Sequence, residues 1–74
     1  MKDTILEILT DIRGDIDFET ETALIDDGLL ESLDIVAIVG EFNEEFDVEI
    51  SVEDIIPDNF NSVEAINKLI ERKK

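Results

Sequence analysis

The sequence predicts an all-α fold: a small four-helix bundle that occupies residues 1–74 as one domain, with three main helices, one short helix and a long first connection. Three observations predict it. Apolar residues recur at helical spacing in three separate segments. The one stretch that could be extended, residues 47–50, is too short and isolated to build a sheet. Hydrophobic residues make up 43% of the chain, which is enough for a core.

The first helix is expected over Thr4–Arg13. Thr4 and Glu7 have the spacing of a capping box, and Gly14 can take the left-handed conformation that often ends a helix. Four apolar residues recur at i, i+3, i+4 and i+7, namely Ile5, Ile8, Leu9 and Ile12. This stripe should face the core.

A long connection is expected over residues 15–31. A connection of this length is uncommon in a compact domain and is usually functional. Its acids favour solubility, whereas its apolar residues can anchor it to the core. These anchors are Ile16, Phe18, Leu24, Ile25, Leu29 and Leu30. The connection should therefore be packed against the helices.

The second helix is expected over Leu33–Phe46, with Ser32 as its N-cap. Its core face should comprise Ile35, Ile38, Val39, Phe42 and Phe46. The opposite face carries the acids Asp34, Glu41, Glu44 and Glu45. Leu33 lies with Ala37 and Gly40 on a flank that the core does not need. Leu33 is either an exposed contact or folded beneath the preceding connection, and the sequence leaves both open.

Residues 47–50 are expected to be a loop that Val48 and Ile50 anchor to the core. A short third helix should follow over residues 51–56. Ser51 is placed to cap it, and Pro57 is expected to end it because a proline restricts the residue before it.

The last helix should start near Ser62, with Asn61 as its cap and Glu64 three residues further on. Its apolar stripe comprises Val63, Ile66, Leu69 and Ile70. Cations suit the C-terminal end of a helix, where four bases gather. They are Lys68, Arg72, Lys73 and Lys74.

The charge is strongly negative, with 6 basic and 21 acidic residues and a net charge of −15. From Gly14 to Asn67 there is no basic residue and there are 17 acids. Such a field repels nucleic acid and anionic lipid and favours a basic protein surface as partner. Like charge also opposes self-association, so we expect a monomer. No signal peptide and no membrane-spanning apolar run is evident, and we expect no membrane insertion and a cytoplasmic location.

Independent catalysis is not expected. The chain has no His, Cys, Tyr or Trp, so the usual general bases and any thiolate metal site are missing. With 21 acids, some close carboxylate pairs arise by chance. Ser32 has no neighbour that could take its proton, and therefore it is not a conventional nucleophile. It is either a helix cap or a point of attachment.

The sequence around Ser32 resembles the acyl carrier protein family, the four-helix carriers that bind phosphopantetheine. The resemblance rests on residues 28–34, Gly-Leu-Leu-Glu-Ser-Leu-Asp, and extends through residues 44–50 and 60–66. It implies an acyl-carrier-like bundle in which Ser32 receives a 4'-phosphopantetheine arm from coenzyme A. A separate phosphopantetheinyl transferase would add the arm, whose thiol then holds an acyl or aminoacyl group as a thioester.

The resemblance also implies further partners. A ligase would load the acyl or aminoacyl group, and an acyltransferase or synthase with a basic docking patch would receive it. The residues expected to contact partners are Glu31, Leu33, Asp34, Val36, Gly40, Glu41 and Glu44. Charges at such a rim mainly speed and orient the encounter.

The kind of carrier stays open. Many members have Asp before the serine where this chain has Glu31. Carriers of fatty acid biosynthesis often have an acid and a bulky apolar residue at the positions that Ala37 and Gly40 occupy here. The Gly-Leu-Leu-acid-Ser spacing is closer to the D-alanyl carriers that serve teichoic acid modification. Those carriers usually follow the serine with Phe-Gly, whereas this chain has Leu33 and Asp34.

Two hypotheses of other classes are retained. An acidic helical interaction module without a prosthetic group would bind basic surfaces but would not be modified. A calcium sensor is suggested by acids that alternate from Asp15 to Glu21. An EF-hand loop, however, needs Gly at position six and Glu at position twelve, where this chain has Thr20 and Asp26.

Overall fold

Helices begin and end in the computed structural model, which describes residues 1–74, close to where the apolar periodicity predicts them. They are α1 (Lys2–Ile12), α2 (Ser32–Phe46), a single 3₁₀ turn (Val52–Asp54), α3 (Pro57–Phe60) and α4 (Val63–Lys73). No strand is present, so the predicted all-α bundle is confirmed. α1 packs against both α2 and α4, and α3 packs against α4.

The core is entirely apolar. It contains 14 buried residues and no buried polar or charged residue. The helices contribute Ile5, Ile8, Leu9, Ile38, Phe42, Phe60, Val63, Ile66, Leu69 and Ile70. Phe18, Leu24, Leu30 and Ile50 come from the connections, so these segments are anchored as predicted.

The predicted core face of α2 is confirmed. Ile38 and Phe42 are fully buried, and the other three predicted residues are partly buried against the core. The opposite face and the flank remain in solvent, apart from Asp34. One helix therefore joins the core to a broad exposed surface.

The predicted caps of α1 are wrong at both of its ends. The helix starts at Lys2, so Thr4 lies inside it and cannot cap it. Gly14 follows a C-cap at Arg13 and does not adopt a positive φ. The glycine that does is Gly28, at φ 72°, in the turn that precedes α2. A residue without a Cβ takes this conformation at the least cost.

The predicted third helix over residues 51–56 is wrong, because a single 3₁₀ turn lies there and the short helix α3 follows it. Ser51 precedes a 3₁₀ turn rather than an α-helix, and α3 begins at Pro57 instead of ending before it. A proline suits the first position of a helix, because its missing N–H would have no intrahelical acceptor there.

The predicted N-cap of α4 is off by one residue. Ser62 is the cap, and its Oγ accepts the Ala65 N–H at 3.1 Å. The Asn61 side chain is turned to the long connection instead. Its Oδ1 accepts the N–H groups of Ile25 and Asp26 at 2.9 and 3.1 Å. Asn61 thus fixes the connection shortly before it reaches α2.

The bases at the end of α4 hold the segment that contains the 3₁₀ turn and α3. The Lys73 Nζ lies 2.6 Å from the Asp54 carboxylate, and Arg72 donates to the Asn59 side chain at 3.0 Å. Lys74 Nζ lies 5.7 Å from the centre of the Phe46 ring. The basic side chains at the C-terminal end of α4 therefore hold this segment and α2 together.

None of the helices is long and apolar enough to cross a membrane.

Candidate functional site

Ser32 lies on the surface as the first residue of α2. The expectation that it is the N-cap is wrong, because Glu31 holds that position, with φ −99° and ψ 167°. Glu31 and Asp34 form the capping box, in which the Glu31 N–H donates to the Asp34 Oδ2 at 3.1 Å. Capping therefore does not use the Ser32 hydroxyl, which remains available for chemistry.

The residue before the cap fixes where this helix starts. Leu30 is buried in the core, and its N–H donates to the Leu24 carbonyl at 3.1 Å. Leu24 in turn donates its N–H to the Asn61 carbonyl at 2.9 Å. Two buried leucines and their backbone hydrogen bonds thus connect the turn between α3 and α4 to the residue next to the cap.

Arg13 joins this helix start to the end of α1, a contact that sequence reasoning missed. Its Nη1 donates to the Asp34 Oδ2 at 2.6 Å and to the Leu29 carbonyl at 3.1 Å. Its Nε and Nη2 donate to the two Asp15 carboxylate oxygens at 3.0 and 3.1 Å. One signal was available: Arg13 is the only base between Lys2 and Lys68 in a chain of net charge −15.

These contacts shift the pKa values of the three groups. The pKa of Asp34 is lowered, first by the Glu31 N–H and then by Arg13. The pKa of Asp15 is lowered by its bond from Arg13, and the pKa of Arg13 is raised by both carboxylates. Each charged form is favoured by its partners, so the cluster remains fully ionised at neutral pH.

The outer face of α2 comprises Leu33, Val36, Ala37, Gly40, Glu41, Glu44 and Glu45, which are all exposed. Leu33 and Val36 are 85% and 67% exposed. Of the two predictions for Leu33, the exposed position is therefore the correct one, because the Leu33 side chain does not fold beneath the connection. Apolar side chains beside Ser32 and acids further along give this face two chemically distinct halves.

Asp34 does not belong to that face, contrary to the sequence prediction. Its side chain is only 18% exposed because it is turned towards Arg13 and the Glu31 N–H. The predicted partner residues Glu31, Glu41 and Glu44 are exposed. The structure therefore brings six of the seven predicted partner residues to the surface and holds Asp34 within the capping network.

A second exposed apolar pair was missed by the sequence prediction. Val52 in the 3₁₀ turn is 84% exposed, and Ile56 before α3 is 45% exposed. The available signal was their position around Pro57, in a segment too short to form a helix with one fully buried face.

Ser32 does not line a cavity. The largest groove, of about 520 Å³, lies between α1 and the connection and is lined by residues such as Leu6, Ile16 and Phe18. The acids of residues 15–21 do not form a cluster that could bind a metal ion. The structure therefore gives no support to the calcium hypothesis. An exposed hydroxyl on an open surface suits a point of attachment that large enzymes can reach.

The fold and the site define a small helical carrier domain, with a serine displayed at the start of a helix. The family model described as phosphopantetheine attachment site matches residues 3–70, which is nearly the whole chain. The chain therefore belongs to this family and is a carrier domain of the acyl carrier protein type. Its prosthetic group is a covalently attached 4'-phosphopantetheine.

The residues at the start of α2 fit that group. The first N–H groups of a helix lack intrahelical acceptors, and together with the helix dipole they favour a nearby phosphodiester. Arg13 offsets part of the negative charge of Asp15 and Asp34 at the same end of the helix. When bound, the arm supplies the thiol that the chain itself lacks.

Proposed function

We propose that Ser32 carries the 4'-phosphopantetheine arm and that the chain holds acyl or aminoacyl groups on it as thioesters. The carrier itself is not catalytic in this proposal. A phosphopantetheinyl transferase modifies it, a ligase loads it, and an acyltransferase or synthase with a basic patch receives the cargo. A cytoplasmic monomer, with the outer face of α2 as its docking surface, fits this cycle.

A comparison of the three serines supports Ser32. The Ser51 hydroxyl donates to the Asp54 carboxylate at 3.1 Å, and Ser62 Oγ caps α4. Ser32 is the serine whose hydroxyl has no role in holding the fold, and it is exposed. This difference is the observation that carries the proposal.

The proposed attachment step transfers the phosphopantetheine group of coenzyme A to the Ser32 hydroxyl. The Ser32 Oγ forms a bond to the phosphorus that bears the pantetheine, and the diphosphate bond of coenzyme A breaks. Adenosine 3',5'-bisphosphate leaves, and the hydroxyl proton passes to a base on the transferase. The chain supplies the accepting hydroxyl and the polar helix start, whereas the transferase and its metal activate the oxygen.

Mass spectrometry tests the assignment. The wild type, incubated with coenzyme A and a promiscuous phosphopantetheinyl transferase, should gain the mass of one phosphopantetheine. Ser32→Ala should gain nothing and keep its helical circular dichroism spectrum. Ser51→Ala is the matched control and should be modified like the wild type. Absence of a gain in the wild type, or a gain in Ser32→Ala, contradicts the proposal.

The D-alanyl carrier remains the narrower candidate. The spacing from Gly28 to Ser32 favours it, and the positive φ of Gly28 explains why a glycine is needed there. The carrier that bears the free phosphopantetheine thiol would be offered to a D-alanine-activating ligase and, separately, to an acyl ligase. Formation of a D-alanyl thioester alone supports this candidate, and formation of an acyl thioester alone contradicts it.

A further inference from the structure

We propose that Arg13 is a positioning residue for the modification of Ser32, because it holds the first turn of α2 in the shape that the transferase requires. The inference rests on the proposed function, since it concerns the rate at which Ser32 accepts its arm. It assigns a role in attachment of the arm to the residue that caps the C-terminus of α1, far from the serine in sequence.

The contacts of Arg13 join the end of α1, both ends of the connection and the first turn of α2. Its guanidinium, at the end of α1, binds Asp15 in a two-pronged contact at the start of the connection. The same group binds the Leu29 carbonyl at the end of the connection and Asp34 in the first turn of α2. Four hydrogen bonds from a planar, rigid group leave these segments little freedom relative to one another.

The link from Arg13 to the serine is short. The Asp34 Oδ2 that receives Nη1 also accepts the N–H of Glu31, the residue before Ser32. One oxygen of Asp34 thus binds both Arg13 and the backbone of Glu31, and Ser32 lies between Glu31 and Asp34 in the chain. A change in the Arg13 contact would shift or loosen the backbone that carries the hydroxyl.

Arg13 is the base that pairs with a carboxylate in the first turn of α2. Lys2 pairs with Glu64, Lys73 with Asp54, and Arg72 binds Asn59. Without Arg13, the carboxylates of Asp15 and Asp34 would be left uncompensated close to the serine. Coenzyme A brings further negative phosphates to the same place, and this repulsion would oppose its approach.

A positioning role differs measurably from a role in stability alone. None of the hydrogen bonds of Arg13 goes to the outer face of α2, so docking of the transferase should survive its replacement. A misplaced hydroxyl lowers kcat, whereas lost docking raises KM. A purely structural role would lower the rate only in proportion to the folded fraction.

The experiment compares Arg13→Gln with Arg72→Gln, which removes the same charge from an exposed arginine on α4. Initial rates of modification by coenzyme A and a promiscuous transferase are measured at a temperature where circular dichroism shows every variant folded. Arg13→Gln should lose roughly 10- to 100-fold in kcat with KM for the carrier within about threefold. Arg72→Gln should behave as the wild type.

Arg13→Lys provides the conservative test. Lysine keeps the charge but not the fork that bonds several acceptors at once, so it should restore part of the lost kcat. Should Arg13→Gln fail to fold, Asp15→Asn weakens the two-pronged contact and leaves the Asp34 contact in place. Its kcat should also fall, though less.

The outcomes are distinct. Equal kcat for Arg13→Gln and the wild type overturns the inference while Ser32 remains the attachment site. An equal loss in Arg72→Gln also overturns it, because net charge would then explain the rate. Failure of the wild type to be modified at all defeats the proposed function itself, and the inference falls with it.

Discussion

Replacement of Gly40 by alanine should stabilise the protein. Gly40 lies in the middle of α2, is exposed, and has no positive φ that would require a glycine. A Cβ built there meets nothing within 4 Å. The substitution should therefore gain the full difference in helix propensity between the two residues, about 1 kcal/mol.

This gain is large for so small a domain. A core of this size rarely supplies more than about 3–5 kcal/mol of net stability. For a chain of 60–100 residues, 1 kcal/mol corresponds to a rise in Tm of about 4–8 °C. Thermal melts followed by circular dichroism at 222 nm, and urea titrations with an unchanged m-value, would measure it.

Ala37→Gly is the mirror-image control. Ala37 lies one turn earlier on the same exposed face, so the opposite change should lower the free energy of unfolding by about the same 1 kcal/mol. A Gly40→Ala variant that is no more stable than the wild type would refute the reasoning. It would mean that Gly40 has a role within the chain that its open surroundings do not reveal.

The same variant bears on docking. A glycine that weakens its own helix, with no neighbour in the chain that requires it, is consistent with close approach of a partner at that point. Gly40→Ala should then raise the KM of a partner enzyme that contacts this face while it raises Tm. A stabilised variant with unchanged KM for each tested partner would contradict the contact role of Gly40.

Three further results are expected. Asn61→Ala leaves two backbone N–H groups of the connection without their acceptor and should cost about 1–3 kcal/mol, with faster amide exchange at residues 25 and 26; unchanged exchange would contradict this role. Lys73 lowers the pKa of Asp54 below its ordinary value of 3.8, so the ion pair stabilises the fold above that pH. The loss of Tm in Asp54→Asn should be constant from pH 7 to about pH 5 and shrink as the pH falls through the lowered pKa; a loss that grows on acidification would reverse the sign. Glu41→Gln with Glu44→Gln should slow association with the transferase roughly threefold or more at low salt and flatten its salt dependence, and an unchanged salt slope would exclude this rim from docking.

The helices were predictable from the sequence because burial decides them. The stripe that includes Ile5 and Leu9 in α1, and that of Ile66 and Ile70 in α4, can be satisfied only by a helix with one face on a core. The long anchored connection was predictable for the same reason, because large apolar side chains such as those of Phe18 and Leu24 are stabilised by burial in the core.

The helix ends were harder to predict, because tertiary contacts compete with local preference. Asn61 is a good N-cap by propensity, but the connection uses its side chain and the cap passes to Ser62. Ser32 is likewise a good cap, yet Glu31 takes that place with Asp34 three residues later. Both errors are of one residue. The Asn61 side chain binds the distant connection, whereas the cap at Glu31 is favoured by Asp34, whose carboxylate also binds Arg13.

The capping network around the site could not be predicted in full. The resemblance singled out Ser32 from a local pattern of seven residues. The contact of Arg13 with Asp34 joins residues 21 positions apart, and no helical or strand periodicity relates them. Asp34 was therefore assigned to the solvent, although it is the residue through which α1 reaches the serine.

Burial of Leu24 and Leu30 has a mechanical consequence for the carrier. The backbone that leads to Ser32 cannot swing towards a waiting enzyme unless these leucines leave the hydrophobic interior, which would unfold much of so small a molecule. In the proposed carrier, Ser32 is therefore a fixed point of attachment, and the reach of the cargo comes from the flexible 4'-phosphopantetheine arm. Partner enzymes would therefore all approach the same rigid helix start. The carrier would discriminate among them through the few exposed side chains around Ser32.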